Sequence, residues 1–377
     1  MGWVTLFWIA ALLLAYVHAG YPILIGALAR IRPRPPARAD VLPPVSIVVV
    51  AHDEAGQVGA RLENLLALDY PRDRLEIVLG SDGSTDDTVG RARAFEADGV
   101  QVVAFPERRG KAAVLDELVP ACRGDIVVLA DARQWFEPQA VRRLVRSFAD
   151  PEVGAVSGAL ILDRADAPIG AGAGIYWRFE SAMRGAESLV DSTVGATGAF
   201  YAIRRRLFTP IPRDTILDDV LIPMRIVRSG YRVVYEPEAR AHDRPSDSVR
   251  AERARKVRTI AGNFQLFARQ PWLLNPLQNR LWLQTLSHKG LRLAGPLLLA
   301  GLLGASLALA SRPFFAAALL AQALFYAAGL AGSRAGEGGR RLSFLAVPAI
   351  VCLLSWATVV AFARFLTGRQ SVTWDRA

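Results

Sequence analysis

Hydrophobic positions change their pattern along the chain. Trp3–Ala29 is apolar and uncharged for long enough to cross a bilayer. From Val45 short apolar runs alternate with amphipathic stretches. Val45–Ala51, Leu75–Ser81, Gln101–Phe105 and Asp125–Ala130 read as strands of a parallel sheet, and the last, apolar at nearly every position, suits burial on both faces. Gln57–Leu68, Asp86–Ala97 and Lys111–Ala121 read as the helices between them. Pro138–Phe148 opens another helix, with Pro in its first turn.

Regularity falls after Asp150. Val153–Leu162 and Gly198–Ile203 predict strands, and Ile169–Leu189 contains a helix. Leu217–Ser229 is a helix that begins in acid, and Tyr231–Tyr235 is a strand closed by Pro237. Arg250–Gln270 is helical and strongly basic. Trp272–Arg292 mixes Trp and Leu with cations, as suits a helix lying in the headgroup plane. Leu293–Ala310, Phe314–Gly332 and Phe344–Phe362 are again apolar enough to span. The expected division is 1–41 as a membrane helix and linker, 42–270 as an α/β domain, and 271–377 as an interfacial helix with about three spans.

Charge gives this layout a direction. Arg30, Arg32, Arg34 and Arg38 follow the first span and nothing positive precedes it, so the reading is a retained anchor and not a cleaved signal. The positive-inside rule then puts the α/β domain in the cytoplasm of a multi-pass protein of a bacterial-type inner membrane. The Arg334, Arg340, Arg341 loop should be cytoplasmic too. Four spans leave the C-terminus outside, against the pull of Arg364, Arg369 and Arg376, and a tilted or re-entrant last segment would relieve that conflict. The Pro-rich stretch Arg32–Pro44 reads as a stiff, extended linker. Net charge is +10 over 377 residues, yet the arginines are scattered and form no basic stripe with aromatics, so nucleic acid is not an expected partner. Cys122 and Cys352 suggest neither a disulfide framework nor a thiolate metal site. The apolar C-terminal segments hold no acid or Lys that would mark an ion pathway.

Candidate chemistry sits at strand ends. His52-Asp53-Glu54 follows the first strand, whose last residue is Ala51. The run Asp82-Gly83-Ser84-Thr85-Asp86-Asp87 follows the second, and Asp131 closes the fourth. Asp218-Asp219 opens a later helix. Ends of parallel strands lie along one rim, where open α/β sheets bind ligands. Acids gathered there need cations, and Lys111, the basic cluster 255–258 or a bound metal ion could supply them. Arg109-Gly110-Lys111 lacks the spacing of a Walker A loop, and no GxGxxG follows the first strand.

These motifs resemble those of the membrane-bound family-2 glycosyltransferases, which include the synthases of cellulose, hyaluronan and poly-N-acetylglucosamine. The resemblance implies a GT-A fold for the domain, a Rossmann-like α/β unit with a mostly parallel sheet, and inverting transfer from a nucleotide-sugar, expected to be a UDP-sugar, to a lipid or saccharide acceptor. Ala51, Asp53 and Glu54 match the family's opening strand and its acidic end. Asp82 in SDGSTDDT matches the acid that contacts the uracil and ribose. Lys111 matches the segment beside the donor phosphates. Leu217-Asp218-Asp219 matches Thr-Glu-Asp, which makes Asp219 the general base, and Arg258 matches the pyrophosphate-binding Arg of Gln-x-x-Arg-Trp. Membrane lipids are implied as surroundings.

Two departures shape the expectation. The Asp-x-Asp motif is Asp131-Ala132-Arg133, so either Asp131 alone holds Mg or Mn, aided by phosphates and His242, or Arg133 supplies part of the metal's charge. Thr259 stands where polymer-making members have Trp, which predicts transfer of one or a few sugars unless Trp177 or Phe264 supplies the acceptor platform. The alternatives are a processive exopolysaccharide synthase of the poly-N-acetylglucosamine type and a catalytically impaired regulator that binds nucleotide-sugars.

Overall fold

The computed structural model describes residues 1–162, 170–243, 249–337 and 345–371. Eight strands form one sheet in the order β3-β2-β1-β4-β7-β6-β8-β5. They are β1 Val45–Ala51, β2 Leu75–Asp82, β3 Val100–Phe105, β4 Ile126–Asp131, β5 Trp135–Phe136, β6 Val153–Leu162, β7 Phe200–Arg204 and β8 Arg232–Asp243. The first half is parallel: β1 lies between β2 and β4, with Val50 opposite Asp131 and Ala51 opposite Ser81. Every residue of β1 is buried, which is why that strand reads as an unbroken aliphatic run.

The second half is mixed. β7 runs antiparallel to β4, pairing Phe200 with Ala130. Its start therefore reaches the rim where the parallel strands end, and this brings residues 195–199 to the acids. The strand closed at Pro237 by sequence in fact continues to Asp243. The pairing with β6 steps from Gly158–Glu236 to Ala159–Arg240, so Pro237 sits in a bulge where no ladder donor is required. Two apolar clusters cover the sheet faces, one around Leu62, Leu65 and Phe136, the other around Leu115, Leu118 and Met224.

Gly83 fixes the turn after β2. Its φ is +62°, and a Cβ there would lie 2.3 Å from the backbone nitrogen of Arg108. Gly83→Ala combines backbone strain with a clash that no rotamer relieves. It should cost at least about 2 kcal/mol and weaken nucleotide binding, as checked by thermal unfolding and UDP titration.

The N-terminal segment Gly2–Ile31 is long and apolar enough to cross a membrane and is interrupted by a π-turn at Tyr16–Gly20. Pro313–Arg334 and Ala346–Leu366 are also long and apolar enough to cross a membrane. Trp282–Leu293 and Gly295–Ala308 meet at a 60° bend and count as a fourth candidate only if taken together. The irregular segment is thus the first of the three C-terminal ones, while the last is an unbroken helix of 21 residues. Arg340, Arg341 and Arg376 lie outside the described residues. The linker is extended, as expected, but it is also docked. Arg34 N–H donates to the Leu189 carbonyl (2.7 Å), Arg38 pairs with buried Glu236 (3.0 Å), and Arg74 donates to the Leu42 carbonyl (2.8 Å).

Candidate active site

The acids named from sequence do gather at one rim, and Lys111 is their hub. It opens the helix Lys111–Ala121 directly after Gly110, whose φ of +89° turns the chain from loop to helix. Its ammonium lies 2.8 Å from Asp131 and 3.5 Å from Asp218. Burial works against the charge on Lys111, but Asp131 and Asp218 outweigh it and raise its pKa. Burial likewise pushes the Asp131 carboxyl up, and Lys111, Arg133 and Arg258 together bring it below its ordinary value. Arg258, on the helix Val249–Arg269, is thereby placed within reach of Asp131.

Asp218 and Asp219 occupy the first turn of the helix Asp218–Arg228. Asp218 could have served as the cap, but the N-cap is Leu217 and no side chain caps the helix. The carboxylate of Asp218 turns to Lys111 instead, because a buried acid gains more from an ammonium than from a backbone amide. Asp219 points elsewhere, as successive helical residues must. A Cβ on Gly198 would lie 2.9 Å from its Oδ2, so the carboxylate rests against bare backbone at the start of β7. Burial and the neighbouring Asp218 charge raise the Asp219 pKa to about 6, against the pull of Lys289, Lys111 and Arg184.

The other acids build the wall of the site. Asp53 has φ +53°, a left-handed conformation that Asp tolerates, and its carboxylate accepts the N–H groups of Thr85 (2.7 Å) and Asp86 (3.3 Å). Those bonds lower its pKa. The Glu54 N–H donates to Thr88 Oγ1 (2.8 Å), and Ala51 is the buried last residue of β1. Asp82 is fully buried and accepts the N–H groups of Arg109 (2.7 Å) and Gly110 (2.9 Å). Its carboxylate therefore holds the loop that delivers Lys111 and does not project into open space.

Arg133, in the second Asp position, donates to Asp243 at 2.7 Å. His242 was a candidate to help at this point, but it faces Glu137 (3.3 Å) and packs edge-on to Trp135. Alternation along β8 makes Asp243 the inward residue. Among the described residues no three of His, Cys, Asp or Glu converge as a metal set. A divalent ion such as Mg²⁺ or Mn²⁺ bound at this rim would find Asp131 as its protein ligand. Phe264 does not face the site, since its ring packs on Phe362 and Phe365 of the last span. Thr259 is exposed.

Several neighbours escaped the sequence reading. Arg61 is 3% exposed, donates to the Gln134 carbonyl (2.7 Å) and stacks on Phe136, which steadies the segment after Asp131. Buried Tyr201 lies beside Asp218. Glu180, Glu187, Arg184, His288 and Lys289 form a polar cluster behind Asp219. Its only sequence signal was the presence of His288 and Lys289 in an otherwise apolar stretch.

The comparisons agree with this geometry. The family model "Glycosyltransferase like family 2" matches residues 43–262, more than half of the chain. The poly-beta-1,6-N-acetyl-D-glucosamine synthase of Staphylococcus aureus is 25% identical over 212 residues, 55% of this chain and 51% of that protein. The probable glycosyltransferase YdaM of Bacillus subtilis is 25% identical over 239 residues, 59% of this chain and 56% of that one. The chain thus spans about half the length of these curated relatives. A mannosyltransferase of Pyrobaculum calidifontis, solved with GDP-Man and Mn²⁺, superposes with a TM-score of 0.73 at 24% identity. That match covers 97% of this chain and 99% of that one, and it shows a shared GT-A fold. A glycosyltransferase fold, a rim of acids around one lysine and the matched family model lead to one conclusion: the chain belongs to glycosyltransferase family 2.

Proposed function

We propose that this glycosyltransferase moves a sugar from a nucleotide-sugar, preferably a UDP-sugar, to a lipid or saccharide acceptor, with inversion at the anomeric carbon. The observation that carries this reading is the division of labour between two adjacent acids. Asp218 faces Lys111 and Asp131 on the donor side, while Asp219 faces Gly198 on the other. In the reaction an acceptor hydroxyl oxygen attacks the anomeric carbon and Asp219 takes its proton. The bond from that carbon to the diphosphate oxygen breaks, and the nucleoside diphosphate leaves with the electron pair. Lys111 and Arg258 receive the growing negative charge. Asp53, Glu54 and Asp82 shape the nucleoside wall, Asp82 through the loop it holds. A divalent ion on Asp131 would add charge to the same leaving group.

The span layout supports a multi-pass protein of the inner membrane with the domain on its cytoplasmic face, next to membrane lipids. Thr259 in place of Trp favours transfer of one or a few sugars. The S. aureus relative keeps a poly-N-acetylglucosamine product as the second reading. Incubating the protein in lipid with a panel of nucleotide-sugars should release nucleoside diphosphate with one sugar nucleotide well above the others, and mass spectrometry of the product gives its length. No turnover with any donor would leave the regulator reading in place of this one.

A further inference from the structure

The cluster behind Asp219 has an unusual charge balance. His288 lies between two buried carboxylates, with Nδ1 2.8 Å from Glu187 and Nε2 2.9 Å from Glu180. Both ring nitrogens can donate only as imidazolium, so the geometry calls for a charged His288. Arg184 (3.3 Å) and Arg292 (3.3 Å) also reach Glu180. Lys289 adds another cation, and it has no hydrogen bond or ion pair among the described residues. Three carboxylates, Glu180, Glu187 and Asp219, thus face four cationic groups where water is scarce, and the remaining positive charge favours an anion.

The position of the cluster gives the excess a purpose. Arg184 Nη1 lies 2.6 Å from Thr197 Oγ1, next in sequence to the Gly198 that abuts Asp219. The cations are therefore neighbours of the base. His288 and Lys289 sit in a π-turn, Leu286–Gly290, a local widening that recurs at functional sites. A few residues later the chain bends by 60° into the apolar helix Gly295–Ala308. The cluster thus lies close both to the base and to the start of that apolar helix.

We infer that Lys289, with Arg184 and Arg292, binds a phosphate group of a membrane-lipid-linked acceptor and presents the acceptor's hydroxyl to Asp219. This inference rests on Asp219 being the base. The phosphate balances the cations, the lipid tail leaves toward the bilayer past Arg292, and the reacting hydroxyl points inward.

The test uses the whole protein in phosphatidylcholine nanodiscs. UDP binding is measured first and on its own, and its absence would count against the proposed function, not the acceptor site. With the donor site filled by UDP, farnesyl diphosphate, inorganic diphosphate and farnesol are then titrated. Farnesyl diphosphate should bind wild type at least tenfold more tightly than Lys289→Gln, Lys289→Arg should recover most of the loss, and farnesol should not distinguish the three. UDP affinity should be unchanged in both variants. Equal binding of farnesyl diphosphate to wild type and Lys289→Gln would overturn the site. Inorganic diphosphate binding as tightly as the prenyl form would overturn its assignment to a lipid.

Discussion

Asp219→Asn is expected to lower glycosyl transfer by roughly a hundredfold or more while leaving UDP affinity within about twofold of wild type. Asn preserves the shape that rests on Gly198 but takes no proton at neutral pH. The wild-type rate at saturating donor should fall on the acid side with a midpoint near pH 6, where Asp219 becomes protonated. Asp218→Asn removes the neighbouring negative charge that helps to raise that value, so its acid limb should move to lower pH. An unmoved limb would show that the Asp218 charge does not act on Asp219. Retention of most transferase activity by Asp219→Asn would remove the centre of the mechanism.

Lys111→Met should act on both stability and binding. Without the ammonium, Asp131, Asp218 and Asp219 share a pocket with fewer cations; Asp131 is partly exposed, so losing the pair costs less than the roughly 3–5 kcal/mol of a fully buried one, on the order of 1–2 kcal/mol. Nucleotide affinity should fall by about tenfold or more with the loss of a charged contact to the diphosphate. The pH dependence carries the sign. In wild type the lowered Asp131 pKa contributes stability at neutral pH that is lost as pH falls. In Lys111→Met the crowded carboxyls have raised values, and the folded state favours their protonated forms. Its stability should then be greatest below the ordinary carboxyl range and decline as pH rises through the raised values. Melting temperatures across the acid range would show the penalty shrinking toward low pH. A penalty that grows with acid would refute the hub role of Lys111.

Much of the parallel half was legible in sequence because its signals are local. β1 and the helix Lys111–Ala121 fall where aliphatic runs and amphipathic spacing put them. The acids at strand ends were legible for the same reason, since a parallel sheet aligns its ends without help from distant contacts. The second half depended on pairing that no local pattern encodes. β7 brings Gly198 to the site only because it runs antiparallel to β4, and β8 reaches Asp243 only because β6 accommodates a bulge at Pro237. Arg61 looks like a solvated residue on an amphipathic helix until Phe136 and Gln134 close over it. His288 lies 108 and 101 residues beyond Glu180 and Glu187, so its meeting with them is a tertiary fact.

The docked linker has a consequence for which acceptors can react. Residues 34–42 are bonded along the domain, Tyr21 reaches Glu187 on the helix Gly170–Val190 at 2.6 Å, and the helix Val249–Arg269 packs on the last span through Val257, Ala261, Ala357 and Ala361. Three attachments around the domain leave it no freedom to swing like a head on a tether. Under the proposed function, a catalytic rim fixed in this way would sit at one altitude above the bilayer. The enzyme would then work as a ruler, selecting acceptors by the length between their anchor and their hydroxyl, and a glycan one sugar too long or too short would miss the base.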